Sequence, residues 1–338
     1  MNDPGNVDPE GSSLDYLEVR RLFELLTPPG AGSQLAYATE LLPGGNLRLG
    51  MGQDGNPCLL IQVADSSLQA SDRHYANLRL RHGLRLRLRE GEQFGLYSAV
   101  ECVASDPNVQ DWFLRLVPSI CERLSSTQDL EEVSAQIDRI GELFRLLGKD
   151  AHKSLVGVWG ELVLIAGSDD PAAAVRAWHV LSTAAHDFTA GGVHVEVKAT
   201  EGARRHHFSL QQLKPHGTTL VVSLMLEGSD DGRSVLDLYD EVLELVHEEP
   251  DLQEKVHRLL MSAVGFRIGL AGDVRFDVIA ALSSAKYVFS EDVPQVLEPL
   301  PRGVSDVRFL ADLESCPSAS SEALGDHSLW SGLTRQRR

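Results

Sequence analysis

His186-Asp-Phe-Thr-Ala-Gly-Gly-Val-His-Val-Glu-Val-Lys-Ala-Thr200 reads as two short strands joined by a turn at Gly191-Gly192. Asp187 begins the first strand and Glu196 sits inside the second. Side chains alternate along a strand, so His194, Glu196 and Lys198 share one face. Val195 and Val197 take the other face, toward a core. A carboxylate beside an ammonium is costly to bury unless something pairs or uses both. Metal-assisted phosphodiester hydrolysis uses such a set. A hard cation such as Mg²⁺ takes carboxylate oxygens and keeps several waters. It polarises a phosphoryl oxygen and activates a water. On this reading Asp187 and Glu196 are metal ligands and the Val197 carbonyl adds another. Lys198 orients or deprotonates the water, or stabilises the developing charge. The competing reading is a salt bridge across a surface hairpin.

Upstream, the apolar spacing of Leu155, Val158, Trp159, Leu162 and Ile165 predicts a helix over 152–166. Glu161 lies on it, within Gly157-Val-Trp-Gly-Glu-Leu, and a helix carboxylate reaches a metal at a strand edge. Downstream, Ser209-Leu-Gln-Gln-Leu opens a helix after a strand at 205–208. It offers Gln211 or Gln212 to the site, with Gln211 as the candidate. Further strands are expected at 175–181 and 218–226, the latter apolar enough to be a buried central strand. Two acidic amphipathic helices follow at 234–247 and 250–263, then a strand-rich piece at 274–290. Helix, meander, helix and strand form an α/β (α+β) pattern.

The earlier part of the chain is different. A helix at 14–26 ends at Thr27-Pro-Pro-Gly, and turn clusters at Pro43-Gly44-Gly45-Asn46 and Asp54-Gly55-Asn56-Pro57 separate short apolar runs. Residues 77–90 alternate leucine with arginine about His82-Gly83. This predicts a hairpin with one apolar face and one basic face. Arg79, Arg81, Arg85 and Arg87 are candidate phosphate contacts, as are Arg204 and Arg205 near the site. A solvated strand face is the alternative for the hairpin arginines. Helices are expected at 107–125 and 128–147. The predicted organisation is a tail at 1–13, a β-rich domain at 14–125, a core with a helical linker at 126–312, and a tail at 313–338.

Composition narrows the classes. The chain of 338 residues carries 31 basic and 49 acidic residues, a formal charge of −18. Autonomous DNA binders are usually basic, so this balance opposes tight DNA binding by the chain alone. The polar start lacks the apolar run of a signal peptide, and no stretch suits a membrane span, so a cytoplasmic protein is expected. Cys58, Cys102, Cys121 and Cys316 show no paired spacing and read as reduced thiols. His152, His179, His186, His194, His206 and His207 show no zinc spacing. Phosphate-binding-loop, nucleophile-elbow and dinucleotide glycine motifs are absent from the sequence.

Asp187…Glu196-Val-Lys198, with Glu161 on the preceding helix, resembles the motif of the PD-(D/E)XK nuclease superfamily. Glu-Val-Lys-x-Thr is similar to Mrr-type restriction endonucleases. Gly-x-Trp-Gly-Glu-Leu, His-Asp-Phe, Glu-Val-Lys-Ala-Thr, Gln-Gln-Leu and the late Leu-Pro-Arg-Gly-Val at 300–304 resemble a bacterial family of PD-(D/E)XK proteins of unknown function. The resemblance implies a restriction-endonuclease-like core with a mixed sheet flanked by helices. It also implies a Mg²⁺-dependent DNA endonuclease, with Mn²⁺ as a substitute, from a restriction or phage-defence system. The partners implied are DNA and an ATPase, helicase or methyltransferase subunit; a homodimer stays open. The alternative is an inactive nuclease-like interaction subunit. One departure stands out: His186 occupies the place of the motif's proline.

Overall fold

The computed structural model describes residues 14–319 apart from 32, 34, 44, 65–70, 76, 90–91, 125–129, 148–152, 180–185, 214–217 and 297–298. The tail expected at 1–13, residues 320–338 of the second tail, and His152 lie outside the described residues. The chain divides after Arg145 into two units.

The first unit is built on an antiparallel sheet. Its elements are α1 (Tyr16–Glu24), β1 (Tyr37–Leu41), β2 (Leu47–Gly52), β3 (Pro57–Gln62), β4 (Arg73–His74), β5 (Leu78–Leu86), β6 (Gly95–Cys102), α2 (Pro107–Leu124) and α3 (Leu130–Leu147). The strand order is β1-β2-β3-β6-β5-β4. Asp15 caps α1 by accepting from the Glu18 amide at 2.8 Å. The expected linker helix α3 belongs with this unit. Asp138 pairs with Arg73, and Gly141 lies so close to Tyr75 that a Cβ there would stand 2.5 Å from the ring.

The hairpin expected about His82-Gly83 is instead one strand, β5, with a bulge. Its partners on β6 step from Ala99 to Tyr97 while β5 steps from Arg81 to Leu84. Gly83 supplies the positive φ of 66°. The extra residue exchanges the two faces. Leu78 and Leu80 pack on one side, and Leu84 and Leu86 join the cluster of Tyr37, Cys58, Leu60, Tyr97 and Ala99 on the other. The arginines are exchanged too, so they form no continuous basic face.

The second unit comprises α4 (Leu155–Ala166), α5 (Pro171–Ala177), β7 (Phe188–Ala190), β8 (Val193–Thr200), β9 (Arg205–Ser209), α6 (Leu210–Leu213), β10 (Thr218–Met225), β11 (Gly228–Ser234), α7 (Val235–Leu245), α8 (Pro250–Val264), β12 (Arg275–Phe276), α9 (Val278–Ser284), β13 (Lys286–Phe289) and β14 (Arg308–Asp312). Its main sheet runs β13-β10-β8-β7. β10 lies parallel to β8, and the outer pairs are antiparallel. Smaller ladders join β9 to β14 and β11 to β12. The buried strand expected at 218–226 is therefore central, as β10.

Two expectations at the element level hold only in part. The strand expected at 175–181 is the helix α5 up to Ala177, after which Trp178 bridges Phe188 in antiparallel fashion and the His179 amide donates to Asp187 O at 2.9 Å. Asp170 caps α5 through the Ala173 amide at 2.8 Å, Pro171 opens it, and alanines fill its first turn. The strand-rich piece at 274–290 holds β12 and β13, but α9 lies between them, capped by Asp277 through the Ala280 amide at 2.9 Å. Nor does a tail begin at 313. Leu313 and Cys316 are buried with Phe208 and Val221, and the Ala319 amide donates to Tyr287 O at 2.8 Å.

α4 is apolar around most of its circumference, the pattern of a helix enclosed by its unit. Val158, Trp159, Leu162, Val163, Leu164 and Ile165 are all buried. Ser154 caps it through the Gly157 amide at 3.1 Å. Gly160 lets it lie close on β8: a Cβ there would stand 3.1 Å from Ala199 Cβ and 3.3 Å from Val197 Cγ1. Trp159 fixes the other side, donating to Arg233 O at 2.7 Å and meeting Phe276 edge-on.

Candidate active site

β7 and β8 pair with Phe188 opposite Val195. Asp187 directly precedes β7. Asp187 Oδ2 accepts from the Val197 amide at 2.9 Å. The N–H and C=O of one strand residue leave on the same side, so the Val197 carbonyl also lies on this edge. Glu196 and Lys198 share a face, and Lys198 Nζ stands 2.7 Å from Glu196 Oε1. The same ammonium lies 5.0 Å from the Phe208 ring centroid.

Glu161 reaches this centre from α4, which packs on the Val197 side of β8. It is buried, and its Oε2 accepts from Trp178 Nε1 at 2.6 Å. Its Oε1 accepts from Lys153 Nζ at 2.6 Å, and the same ammonium donates to Asp187 Oδ1 at 2.6 Å. Lys153 thus joins Glu161 to Asp187. Sequence reading missed it because it precedes the cap Ser154 in an irregular segment, with no periodicity to mark its direction. Its only sequence signal is a lone lysine eight residues before a helix glutamate.

The two glutamines exchange roles. Gln211 is exposed, whereas Gln212 donates through Nε2 to Glu196 Oε1. Gln212 Oε1 in turn accepts from the Ser209 amide at 2.9 Å, which fixes the carboxamide at the start of α6. His186 donates through Nε2 to the Gln212 carbonyl at 2.9 Å and stacks on His194 at 4.7 Å. It ties the start of β7 to α6 from the place of the missing proline. His194 Nδ1 meets Thr189 Oγ1 at 3.0 Å.

The arginine candidates fall in different places. Arg204 is buried, and its guanidinium donates to Ser223 O at 2.8 Å, to Ser223 Oγ at 3.2 Å and to Ser284 O. It braces β10 and α9 from inside and presents no surface for DNA. Arg205 is exposed and paired with Asp312 at 3.0 Å. Arg79 and Arg81 flank Glu101 at 3.5 and 3.4 Å, lining an open cavity of about 470 Å³ with Tyr37, Asp54 and Asn56. The bulge in β5 turns Arg85 to the opposite face of that sheet, and Arg87, just past the end of β5, lies over the Phe94 ring.

Burial controls the charge of the centre. It is the main cause raising the Glu161 and Glu196 carboxyls well above the usual carboxylate range, and the Asp187 charge adds to it. Lys153 and Lys198 oppose this on Glu161 and Glu196 respectively. For Lys153, burial lowers the ammonium, but the Glu161 and Asp187 charges outweigh it and the net shift is upward. Burial is the main cause lowering the His186 ring below its ordinary value, against the hydrogen bond to the Gln212 carbonyl.

A profile of the family described as "Putative PD-(D/E)XK family member (DUF4420)" matches residues 26–314. The chain belongs to this family. Comparison with curated proteins and with solved structures returns no match. The family carries a nuclease-like fold, and the mixed helix and sheet arrangement of this member is the restriction-endonuclease-like α+β type. Among the described residues, no helix is long and apolar enough to cross a membrane. All four cysteines are free and buried.

A divalent cation is implied by the superfamily. Among the described residues no three His, Cys, Asp or Glu side chains converge as a ready cage. The donor chemistry nevertheless fits. Glu161 Oε1 and Asp187 Oδ1 already share one cation, the Lys153 ammonium. One or two carboxylates are what Mg²⁺ takes from protein, water completing its shell.

Proposed function

We propose that this protein is a Mg²⁺-dependent DNA endonuclease, with Mn²⁺ as a substitute, acting as the nuclease subunit of a restriction or phage-defence system in the cytoplasm. The observation that carries this reading is that the Asp187 carboxylate accepts from the Val197 amide of β8 at 2.9 Å, between Glu196 and Lys198, which stand 2.7 Å apart on one face of that strand. Asp187, Glu161 and the Val197 carbonyl would hold the cation, with Glu196 beside them. The cation supplies positive charge to the scissile phosphate and to the attacking water. Lys198 orients that water and stabilises charge on the phosphate. Gln212 holds the Glu196 carboxylate in place. A charge of −18 makes a DNA-binding partner subunit part of this proposal.

Plasmid DNA incubated with the full chain and Mg²⁺ or Mn²⁺ tests it. Nicking or linearisation is expected, abolished by EDTA and reduced at least about 100-fold by Lys198→Ala. Equal cleavage by wild type and Lys198→Ala would sink the assignment. The same charge favours a second reading, a non-catalytic nuclease-like subunit. That reading predicts no metal-dependent cleavage even with partner subunits added.

A further inference from the structure

We propose that Lys153 is a built-in counter-ion that closes the acidic centre in the metal-free protein and leaves it when a divalent cation enters. This rests on the reading of Glu161 and Asp187 as cation ligands. The ammonium sits between the two carboxylates, 2.6 Å from an oxygen of each. Those are the oxygens a hard cation needs. A divalent ion between them would stand against the ammonium, and like charges at such separation repel strongly in a buried site.

Charge counting gives the direction of the exchange. Glu161, Asp187 and Glu196 carry three negative charges when ionised, against two positive charges from Lys153 and Lys198. A divalent cation added to that set leaves one positive charge in excess. The same cation with Lys153 withdrawn leaves the centre neutral. Lys198 is the less suited to leave, because its side chain is 17% exposed against 31% for Lys153 and it lies over Phe208.

The local structure permits the movement. Lys153 lies outside any helix or strand, directly before the α4 cap. Its backbone is anchored by its own amide, which donates to Ala263 O at 3.2 Å. Its side chain is 31% exposed while its ammonium is largely buried against the two carboxylates, so part of the side chain already lies at the surface. A four-carbon stem can swing the charge out while the main chain stays fixed. The device would set the metal concentration at which the centre opens, since apparent affinity falls by the fraction of protein in the competent state.

The test compares full-length wild type, Lys153→Met and Lys153→Arg. Mn²⁺ binding is measured by calorimetry and thermal unfolding is measured in EDTA. Lys153→Met should bind Mn²⁺ about tenfold more tightly than wild type. It should also unfold at a lower temperature in EDTA and recover more on adding Mn²⁺. Lys153→Arg keeps the charge between the carboxylates, so it should stay folded and bind Mn²⁺ no more tightly than wild type. Equal or weaker Mn²⁺ binding by Lys153→Met overturns the proposal and leaves the metal site standing. Tighter binding by Lys153→Arg overturns it as well, and remains decisive if the methionine variant does not fold. If none of the three proteins binds Mn²⁺, the metal-site reading itself fails, and the exchange with it.

Discussion

His206 is buried on β9, where its Nε2 meets Ser223 Oγ at 2.8 Å. Burial, with the Lys198 and Arg204 charges acting in the same direction, lowers its pKa to about 4. An unfolded histidine titrates near 6.5. Between these values the unfolded chain takes up the proton and the folded chain refuses it, so stability is lost as pH falls from 6.5 toward 4. Gln places an amide near the position of Nε2 without a titrating ring. His206→Gln should therefore lose less stability than wild type between pH 6.5 and 4.5, read by thermal unfolding. Glu161 and Glu196 act with the opposite sign, but they are common to both proteins and drop out of the difference. Parallel curves would refute the role given to the ring. The same scale separates the two glutamines. Gln212→Ala removes a donor from Glu196 and should reduce cleavage about 10-fold or more, a loss of roughly 1.4 kcal/mol or more. Gln211→Ala should leave cleavage within about twofold. Sequence could place both at the start of a short helix, but not decide which side chain turned inward.

At the scale of elements, α4 and β8 carry Glu161 and the Glu196-Lys198 pair on two surfaces held at a fixed spacing. Gly160 sets that spacing. Gly160→Val should overpack the contact and cost about 1–3 kcal/mol. That lowers the melting temperature by roughly 3–10 °C, with cleavage falling further as the carboxylates move apart. An unchanged melting temperature would show that the helix has room that the Cβ distances deny. The β7–β8 register was legible because alternation and a Gly-Gly turn both specify it locally. The bulge in β5 was not: one extra residue in Leu78–Leu86 leaves the leucine–arginine alternation unbroken in sequence while reversing its faces in space. α5 was misread because valine and tryptophan near 175–178 signal a strand, and the Asp170-Pro171 cap together with the alanines outweighs them. Lys153 was illegible for a different reason. Its role comes from the approach of Asp187, 34 residues on, a long-range contact with no local pattern behind it.

At the scale of the whole molecule, net charge and the fate of the arginines limit how the chain meets DNA. Phosphate neutralisation releases counterions, and the log–log salt slope is about −0.9 for each phosphate contacted. Here the cations that would make those contacts are largely spoken for. Arg79 and Arg81 hold Glu101, Arg205 holds Asp312, Arg87 covers Phe94 and Arg204 is interior. Of the six sequence candidates, only Arg85 lacks an ion pair or ring contact among the described residues. The molecule as a whole carries 49 acids against 31 bases. The full chain alone should therefore bind duplex DNA weakly, with a salt slope shallower than about −4. Fluorescence anisotropy of a labelled duplex across a salt series measures it. A basic partner subunit should steepen the slope, because its lysines and arginines would supply the phosphate contacts. A slope near −8 for the chain alone would show that the ion pairs open on DNA and that the chain binds without help. A shallow slope, together with metal-dependent cleavage that rises when a partner is added, would place catalysis in this chain and DNA capture outside it.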